Sequence, residues 1–173
     1  MADFLTAMRF VQGNEGSKLL DDPKTGEYSR FGITLATASG YGLCAPDDRD
    51  FILHLTQEKA DAIYLEHFWT PLRLSDVNSQ SVATKLLDMG VNMGSYRAVR
   101  ICQQALNAIV AGGTLKEDGQ MGPATVNTIN CIIGVEVLLE LRAKSLEFYQ
   151  SLVKASPDKY AKYWETWKAR ATK

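Results

Sequence analysis

One long segment, Gly134 to Ala155, constrains the fold of this chain more than any other. Its apolar residues recur at helical spacing and form a stripe too broad to be buried on one side of a helix: Val135, Leu138, Leu139, Leu146, Tyr149, Leu152 and Val153. Ser156-Pro157 follows and ends the periodic pattern. The sequence therefore predicts a long central helix against which other elements pack.

Most of the remaining chain also has helical periodicity. Asp3 is a suitable cap for a first helix that Gly13 and Gly16 end, and Thr56 is a suitable cap for a helix that runs to Trp69. Further helices are predicted over residues 81–93, 95–110, 123–131 and 159–169. Residues 20–34 instead mix turn formers with β-formers, which predicts a short hairpin or an ordered loop. These patterns predict a mainly α fold.

Length, composition and charge exclude several classes of protein. A chain of 173 residues suits one domain with a sizeable core. Its 19 Lys and Arg against 20 Asp and Glu give a net charge of −1, which argues against nucleic acid or an anionic membrane as the main partner. The 46% of hydrophobic residues excludes a disordered chain, and no apolar run is long enough to span a bilayer.

The cysteines and the first residues indicate the compartment. Cys44, Cys102 and Cys131 are odd in number and lack a Cys-x-x-Cys spacing, so they predict reduced thiols rather than a disulfide framework or a zinc site. We expect neither a metal nor a cofactor. The N-terminus carries Asp3 and lacks the pattern of a secretory signal, so we expect synthesis in the cytoplasm.

Glu15 is the first candidate for chemistry. It follows Phe4, Met8 and Val11 at spacings of four, three and four residues, so it continues the apolar face of the first helix. A carboxyl group on such a face is costly to bury unless it is paired or protonated, and a raised pKa would suit a general acid. The alternative is that the helix ends at Gly13 and that Glu15 points into water.

Further acids follow in the irregular segment, at Asp21, Asp22 and Glu27. Glycoside hydrolysis requires two carboxyl groups, one of which protonates the leaving oxygen while the other acts as base or nucleophile. Asp22 also precedes Pro23, and Asp-Pro is common in turns. The residues alone therefore leave a catalytic pair and a turn both open.

A series of short motifs follows along the chain. The first are Glu15-Gly16, Asp22-Pro23 and Phe31-Gly32-Ile33-Thr34, and further motifs lie at residues 62–64, 68–69, 87–94, 102–107, 118–125 and 167–170. Together they cover nearly the whole chain. In this order they resemble glycoside hydrolase family 108, which comprises phage and bacterial peptidoglycan muramidases, and the first three resemble the N-terminal signature of that family.

The resemblance implies a mainly α, lysozyme-like fold with a small β-hairpin or loop near residues 20–34. Residues 1–94 are then the catalytic part. Residues 95–173 are a helical part like a peptidoglycan-binding domain, packed with the first as one globular unit. It also implies a muramidase of the lysozyme type, which cleaves the β-1,4 bond between N-acetylmuramic acid and N-acetylglucosamine.

The resemblance also implies roles for particular residues. Glu15 has the place of the general acid, and Asp22 or Glu27 is a possible second carboxylate. Lys24 stands where the family has an acid. Ser29 replaces a threonine of the family and could still position a water molecule. The choice between retention and inversion therefore stays open, since it depends on the separation of the carboxyl groups.

Three residues are predicted to contact the substrate: Tyr28, Asp88 and Asn92. Asp88 and Asn92 are four residues apart and share a helix face. They either line the sugar cleft or tie down a neighbouring loop by hydrogen bonds. The turn residues of 118–125 likewise serve the turn itself or contact a ligand.

Two other functions fit the same motifs. A lytic transglycosylase cleaves the same bond with one glutamate, and a non-catalytic peptidoglycan-binding protein would keep the fold without the reaction. The expected partner is bacterial peptidoglycan, with no nucleic acid and no membrane span. The cytoplasmic product of a phage or prophage would act on the wall or in the periplasm after release, with a holin as a possible export partner.

Overall fold

The computed structural model of the chain consists of helices and one small antiparallel sheet. It describes residues 1–15, 19–22, 26–113 and 115–173, and for Asn14 and Glu15 it describes the backbone alone. The prediction of a mainly α fold with a small β element near residues 20–34 is therefore confirmed.

The elements follow one another in this order. Helix α1 (Phe4–Glu15) precedes strands β1 (Leu20–Asp22), β2 (Glu27–Arg30) and β3 (Ile33–Thr34), which form a sheet in that order. The helices that follow are α2 (Leu35–Gly40), α3 (Arg49–Leu53), α4 (Gln57–Tyr64), α5 (Gln80–Met93), α6 (Ser95–Ile109), α7 (Pro123–Cys131), α8 (Gly134–Ala155), α9 (Pro157–Tyr160) and α10 (Trp164–Thr172). A π-helical turn (Leu65–Trp69) extends α4, and a 3₁₀ turn (Ala161–Tyr163) separates α9 from α10.

Side chains cap the helices where the sequence predicts. Asp3 accepts a hydrogen bond of 2.8 Å from the backbone N–H of Thr6, and Thr56 accepts one of 3.3 Å from the backbone N–H of Lys59.

The predicted bounds of α7 and α8 are confirmed. Two details differ: α1 continues through Gly13 to Glu15, and the single helix predicted over 159–169 is divided among α9, the 3₁₀ turn and α10.

Helix α5 is the central helix of the fold. It packs against α1, α6 and α8 and against the π-helical turn. Six consecutive residues, 85–90, are all buried, so no side of this helix faces solvent over that stretch. Residues before and after position 94 belong to one hydrophobic core. The division of the chain at residues 94 and 95 stays a prediction.

Helix α8 is less central than its sequence predicts. Val137, Leu141 and Tyr149 are buried against α5, α6 and α10, but Val135 and Leu139 on its other side are 61% and 58% exposed. Its broad apolar stripe therefore exceeds the surface that its neighbours cover.

No single helix of the described chain meets the length and hydropathy of a membrane span; α7 and α8 meet them only as a pair bent by 117°.

A buried charge cluster joins α5 to the C-terminal helix. The Asp88 carboxylate, which is 1% exposed, pairs with the Arg170 guanidinium at 2.9 Å. The Lys85 ammonium donates hydrogen bonds of 2.7 and 3.0 Å to the backbone carbonyls of Arg170 and Ala171. Burial lowers the pKa of Lys85 to about 8, although the nearby Asp88 carboxylate opposes this shift. The cluster satisfies the last carbonyls of α10 and fixes that helix on α5.

We predict that Asp88→Asn strongly destabilises the protein. Two cations then remain in the interior without their carboxylate, and breaking a buried ion pair in this way costs about 3–5 kcal/mol. Urea unfolding measures the free energy of unfolding directly. Asp47→Asn is the matched control, because Asp47 is exposed and its substitution is expected to change stability by less than about 0.5 kcal/mol. Equal stability of the two variants would contradict a structural role for Asp88.

Candidate active site

The sheet brings three of the predicted site residues onto one face. Strands β1 and β2 pair Asp22 with Glu27, and strands β2 and β3 pair Ser29 with Thr34. Because side chains alternate along a strand and paired residues share a face, Asp22, Glu27, Ser29 and Thr34 lie on the same side of the sheet. The two candidates for a second carboxylate are therefore directly opposed neighbours.

Ser29 supports one of these acids. Its side chain is largely buried, and its hydroxyl donates a hydrogen bond of 3.3 Å to the Glu27 carboxylate. A hydroxyl that donates a hydrogen bond to a carboxylate restricts the orientation of that group. In this arrangement Ser29 orients Glu27, and its role in positioning a water molecule stays a prediction.

A groove of about 520 Å³ runs beside the sheet. Its lining includes Glu27 and Tyr28 from the sheet together with Leu35, Ser39 and Pro46. A volume of this size lies in the range of about 300–1,000 Å³ that is typical of ligand sites. Glu27 thus reaches an open groove, which a sugar chain needs in order to contact a carboxylate.

Tyr28 is held in place from the opposite face of the sheet. The Arg49 guanidinium lies 4.0 Å from the centre of the Tyr28 ring and forms an ion pair of 2.6 Å with Asp21. The hydrogen bond with Asp21 raises the pKa of Arg49, so this cation stays charged. Arg49 is not recognisable as a site residue from the sequence, because no local pattern indicates which ring an arginine 21 residues away will cover.

Helix α4 anchors the second hairpin of the sheet. Phe31 and Gly32 form its two-residue turn with φ angles of 54° and 76°, values typical of a type I′ turn. The left-handed conformation is unfavourable for Phe31, and the Tyr64 hydroxyl donates a hydrogen bond of 3.0 Å to the Phe31 carbonyl. This contact joins two motifs that are 33 residues apart in the sequence and fixes the sheet against the helices.

Glu15 is the last residue of α1, directly before residues 16–18, which lie outside the described chain. Met8 and Val11, on the face that Glu15 continues, are buried as predicted. Gln12 donates a hydrogen bond of 2.7 Å to Asp61, which fixes this end of α1 to α4. The side chain of Glu15 lies outside the described part of the structure, as does the whole of Lys24.

Asp88 and Asn92 lie inside the helical part. Asp88 pairs with Arg170, and the Asn92 amide donates a hydrogen bond to the buried hydroxyl of Tyr149, whose ring stacks on Trp167. Both contacts join α5 to the C-terminal helices. This geometry favours the second of the two roles considered for these residues, in which they hold neighbouring elements together, and their contact with sugar stays a prediction.

The motif at residues 118–125 is organised around one buried amide. The Gln103 side chain donates hydrogen bonds to Asp118, to the Gln120 carbonyl and to Thr125 at 3.0 to 3.3 Å. It also accepts one of 2.9 Å from the backbone N–H of Gly119. These contacts lower the pKa of Asp118, mainly through the hydrogen bond from Gln103. The residues of this turn are therefore connected to one another through the Gln103 side chain of α6.

The described residues offer no obvious metal site. Among them, no group of three or more His, Cys, Asp or Glu side chains is placed so that it could hold a metal ion. Burial raises the pKa of the Cys102 thiol to about 12, so it stays protonated.

About half of the chain matches a known protein family. A model of the family described as Glycosyl hydrolase 108 matches residues 8–94, a range that includes the last two thirds of α1, the sheet and α5. The chain belongs to this family. The family resemblance seen in the sequence is thereby confirmed for residues 8–94, whereas the resemblance of the motifs after residue 94 stays a prediction. Membership in Glycosyl hydrolase 108 indicates a glycoside hydrolase that acts on peptidoglycan.

A solved structure extends the likeness beyond the matched range. The structure of Brucella abortus SagA superposes with a TM-score of 0.73 at 25% sequence identity, over 97% of this chain and 92% of that chain. The shared fold therefore includes the C-terminal helices as well as the family region. No functionally curated protein matches this chain.

We predict that Gln103→Ala lowers the free energy of unfolding by about 2–4 kcal/mol, because it removes four hydrogen bonds of a buried side chain at once, including the one to the buried Thr125. Gln104→Ala is a matched control on the same helix. Gln104 is half-buried and makes one hydrogen bond, of 3.1 Å, to Glu117, so we expect a loss of about 1 kcal/mol or less. Thermal or urea unfolding of both variants compares them. Similar losses would show that the network does not stabilise the turn.

Proposed function

We propose that this protein is an N-acetylmuramidase of the lysozyme type, which hydrolyses the β-1,4 bond between N-acetylmuramic acid and N-acetylglucosamine. The observation that carries the proposal is the family match. The matched range includes Glu15 at the end of α1 and the two acids of the sheet, Asp22 and Glu27. A glycosidase needs an acid and a second carboxylate beside an open groove, and the described residues provide the groove and two candidates for the second group.

In the proposed reaction, Glu15 protonates the bridging oxygen as the oxocarbenium-like transition state forms. A second carboxylate stabilises the sugar cation or activates the attacking water. Two observations support Glu27 in this second role: it lines the groove, and the Ser29 hydroxyl orients it. Tyr28 lines the same groove beside it, in a position to contact a sugar ring.

We predict that Glu15→Gln abolishes cleavage of purified peptidoglycan without unfolding the protein. The amide keeps the size of the side chain but cannot transfer the proton, and general acids typically contribute about 10²–10⁴-fold to the rate. Release of reducing ends measures the reaction, and the melting temperature shows whether the fold is kept. Glu66→Gln, at an exposed position, is the control that should retain full activity. Appreciable cleavage by Glu15→Gln would rule out Glu15 as the acid.

The products distinguish this proposal from its alternatives. A muramidase leaves reducing N-acetylmuramic acid ends, whereas a lytic transglycosylase leaves anhydro ends that are lighter by one water molecule. Mass spectrometry of the released muropeptides separates the two reactions. A wild-type protein that binds peptidoglycan without releasing fragments would instead be the non-catalytic binding protein.

We predict that Glu27→Gln lowers the cleavage rate by about a hundredfold or more, whereas Asp22→Asn lowers it by less than about tenfold. The two acids are directly opposed on the sheet, so each is the matched control for the other. Initial rates on the same peptidoglycan preparation compare them. The reverse order of effects would assign the second carboxylate to Asp22 and contradict the assignment of Glu27.

The biological setting belongs to the same proposal. A phage or prophage endolysin would be made in the cytoplasm and reach the wall after a holin opens the membrane. Host cells that express the chain with and without a holin test this route, because lysis should then require both proteins. Lysis by the chain alone would contradict the need for a holin.

A further inference from the structure

A second groove lies on the C-terminal helices and contains no residue of the sheet. It has a volume of about 290 Å³ and is lined by Tyr96, Arg97, Arg100, Ile101, Gln104 and Phe148, from α6 and α8. Ile101 is buried at its base, whereas Tyr96, Arg97 and Arg100 are exposed. The groove thus has an apolar base and a cationic, aromatic rim.

Two arginines of this rim are available to an anion. Arg97 and Arg100 are three residues apart, so they lie on the same face of α6. Neither forms an ion pair with a carboxylate of the described chain, and the nearest turn of α6 uses Gln104 and Asn107 to hold Glu117. The guanidinium of Arg97 lies 5.0 Å from the centre of the Phe148 ring, which orients it over the groove.

Tyr96, the aromatic residue of the rim, is fixed by its contact with Gly119. Tyr96 is 61% exposed, yet its ring packs against Gly119, where an added Cβ atom would lie 2.4 Å from the ring. Gly119 has a φ of 70°, and its backbone N–H donates a hydrogen bond to the Gln103 side chain. The buried amide of Gln103 therefore fixes the turn that contacts the Tyr96 ring. An exposed ring with a fixed orientation is suited to stacking against a ligand.

We propose that this groove is an accessory binding site for the stem peptides of peptidoglycan, in which Arg97 and Arg100 bind their free carboxylates and Tyr96 packs against the chain. The inference rests on the proposed function in that it takes peptidoglycan as the substrate. Charge complementarity supports it, because stem peptides carry several carboxylates and guanidinium groups bind carboxylates through paired hydrogen bonds. The site would hold the enzyme on the wall while the sheet groove engages the glycan strand.

The test compares Arg97→Gln/Arg100→Gln with a charge-matched control, Arg9→Gln/Lys59→Gln, whose residues are exposed on α1 and α4. Binding is measured by sedimentation with insoluble peptidoglycan from which phosphate polymers have been removed by acid. A second preparation consists of glycan strands that an amidase has freed of their stem peptides; because these strands are no longer cross-linked, they are immobilised on beads for the same sedimentation. We expect the groove variant to bind intact peptidoglycan at least about tenfold more weakly than the control. On stem-free glycan, the two variants should bind and cleave equally.

Several results would overturn the proposal. Equal binding of both variants to intact peptidoglycan would show that the arginines do not contribute. If the groove variant also binds stem-free glycan more weakly than the control, by the same factor, the arginines bind the sugar chain. If its binding is weaker only on peptidoglycan that has not been treated with acid, the arginines bind phosphate polymers. Absence of cleavage by the wild type, together with a stem-dependent loss of binding, would overturn the proposed enzymatic function and leave the binding site in place.

Discussion

The ion pair between Asp88 and Arg170 is the interaction on which the arrangement of the helices depends. It joins residues 82 positions apart, on the central helix α5 and on α10, and the side chains of Arg170 and Asp88 are only 12% and 2% exposed. Lys85 adds hydrogen bonds to the last carbonyls of α10, which would otherwise lack partners in the helix. Because charges in the interior are costly unless they are paired, this cluster specifies one position for the C-terminal helix.

A second constraint fixes the sheet relative to the helices. The turn at Phe31 and Gly32 sets the register between β2 and β3, and a shift of one residue would move every side chain of a strand to the opposite face. The hydrogen bond from Tyr64 to Phe31 holds this turn on α4. The position of Glu27 in the groove therefore depends on a contact made by a helix that does not line the groove.

Helix α6 connects the turn at residues 118–125 with the proposed accessory groove. Its inner face carries Gln103, which organises the turn at residues 118–125, and its outer face carries Arg97 and Arg100. Through Gly119, the inner network also supports Tyr96 on the outer surface. One buried amide therefore stabilises the C-terminal part and orients the rim of the proposed accessory site.

The sequence by itself determined the helical class, the β element near residues 20–34, the bounds of α7 and α8, and the family, because caps, prolines and short motifs act locally. Tertiary structure decided which helix is central. The apolar stripe of α8 predicted that position, but α5 occupies it, although Lys85 and Asp88 make α5 look amphipathic. It also decided that Asp88 pairs with Arg170 and that Glu27, rather than Asp22, lines the groove. These outcomes depend on partners that are distant in the chain, and a local pattern contains no information about where the fold will place them.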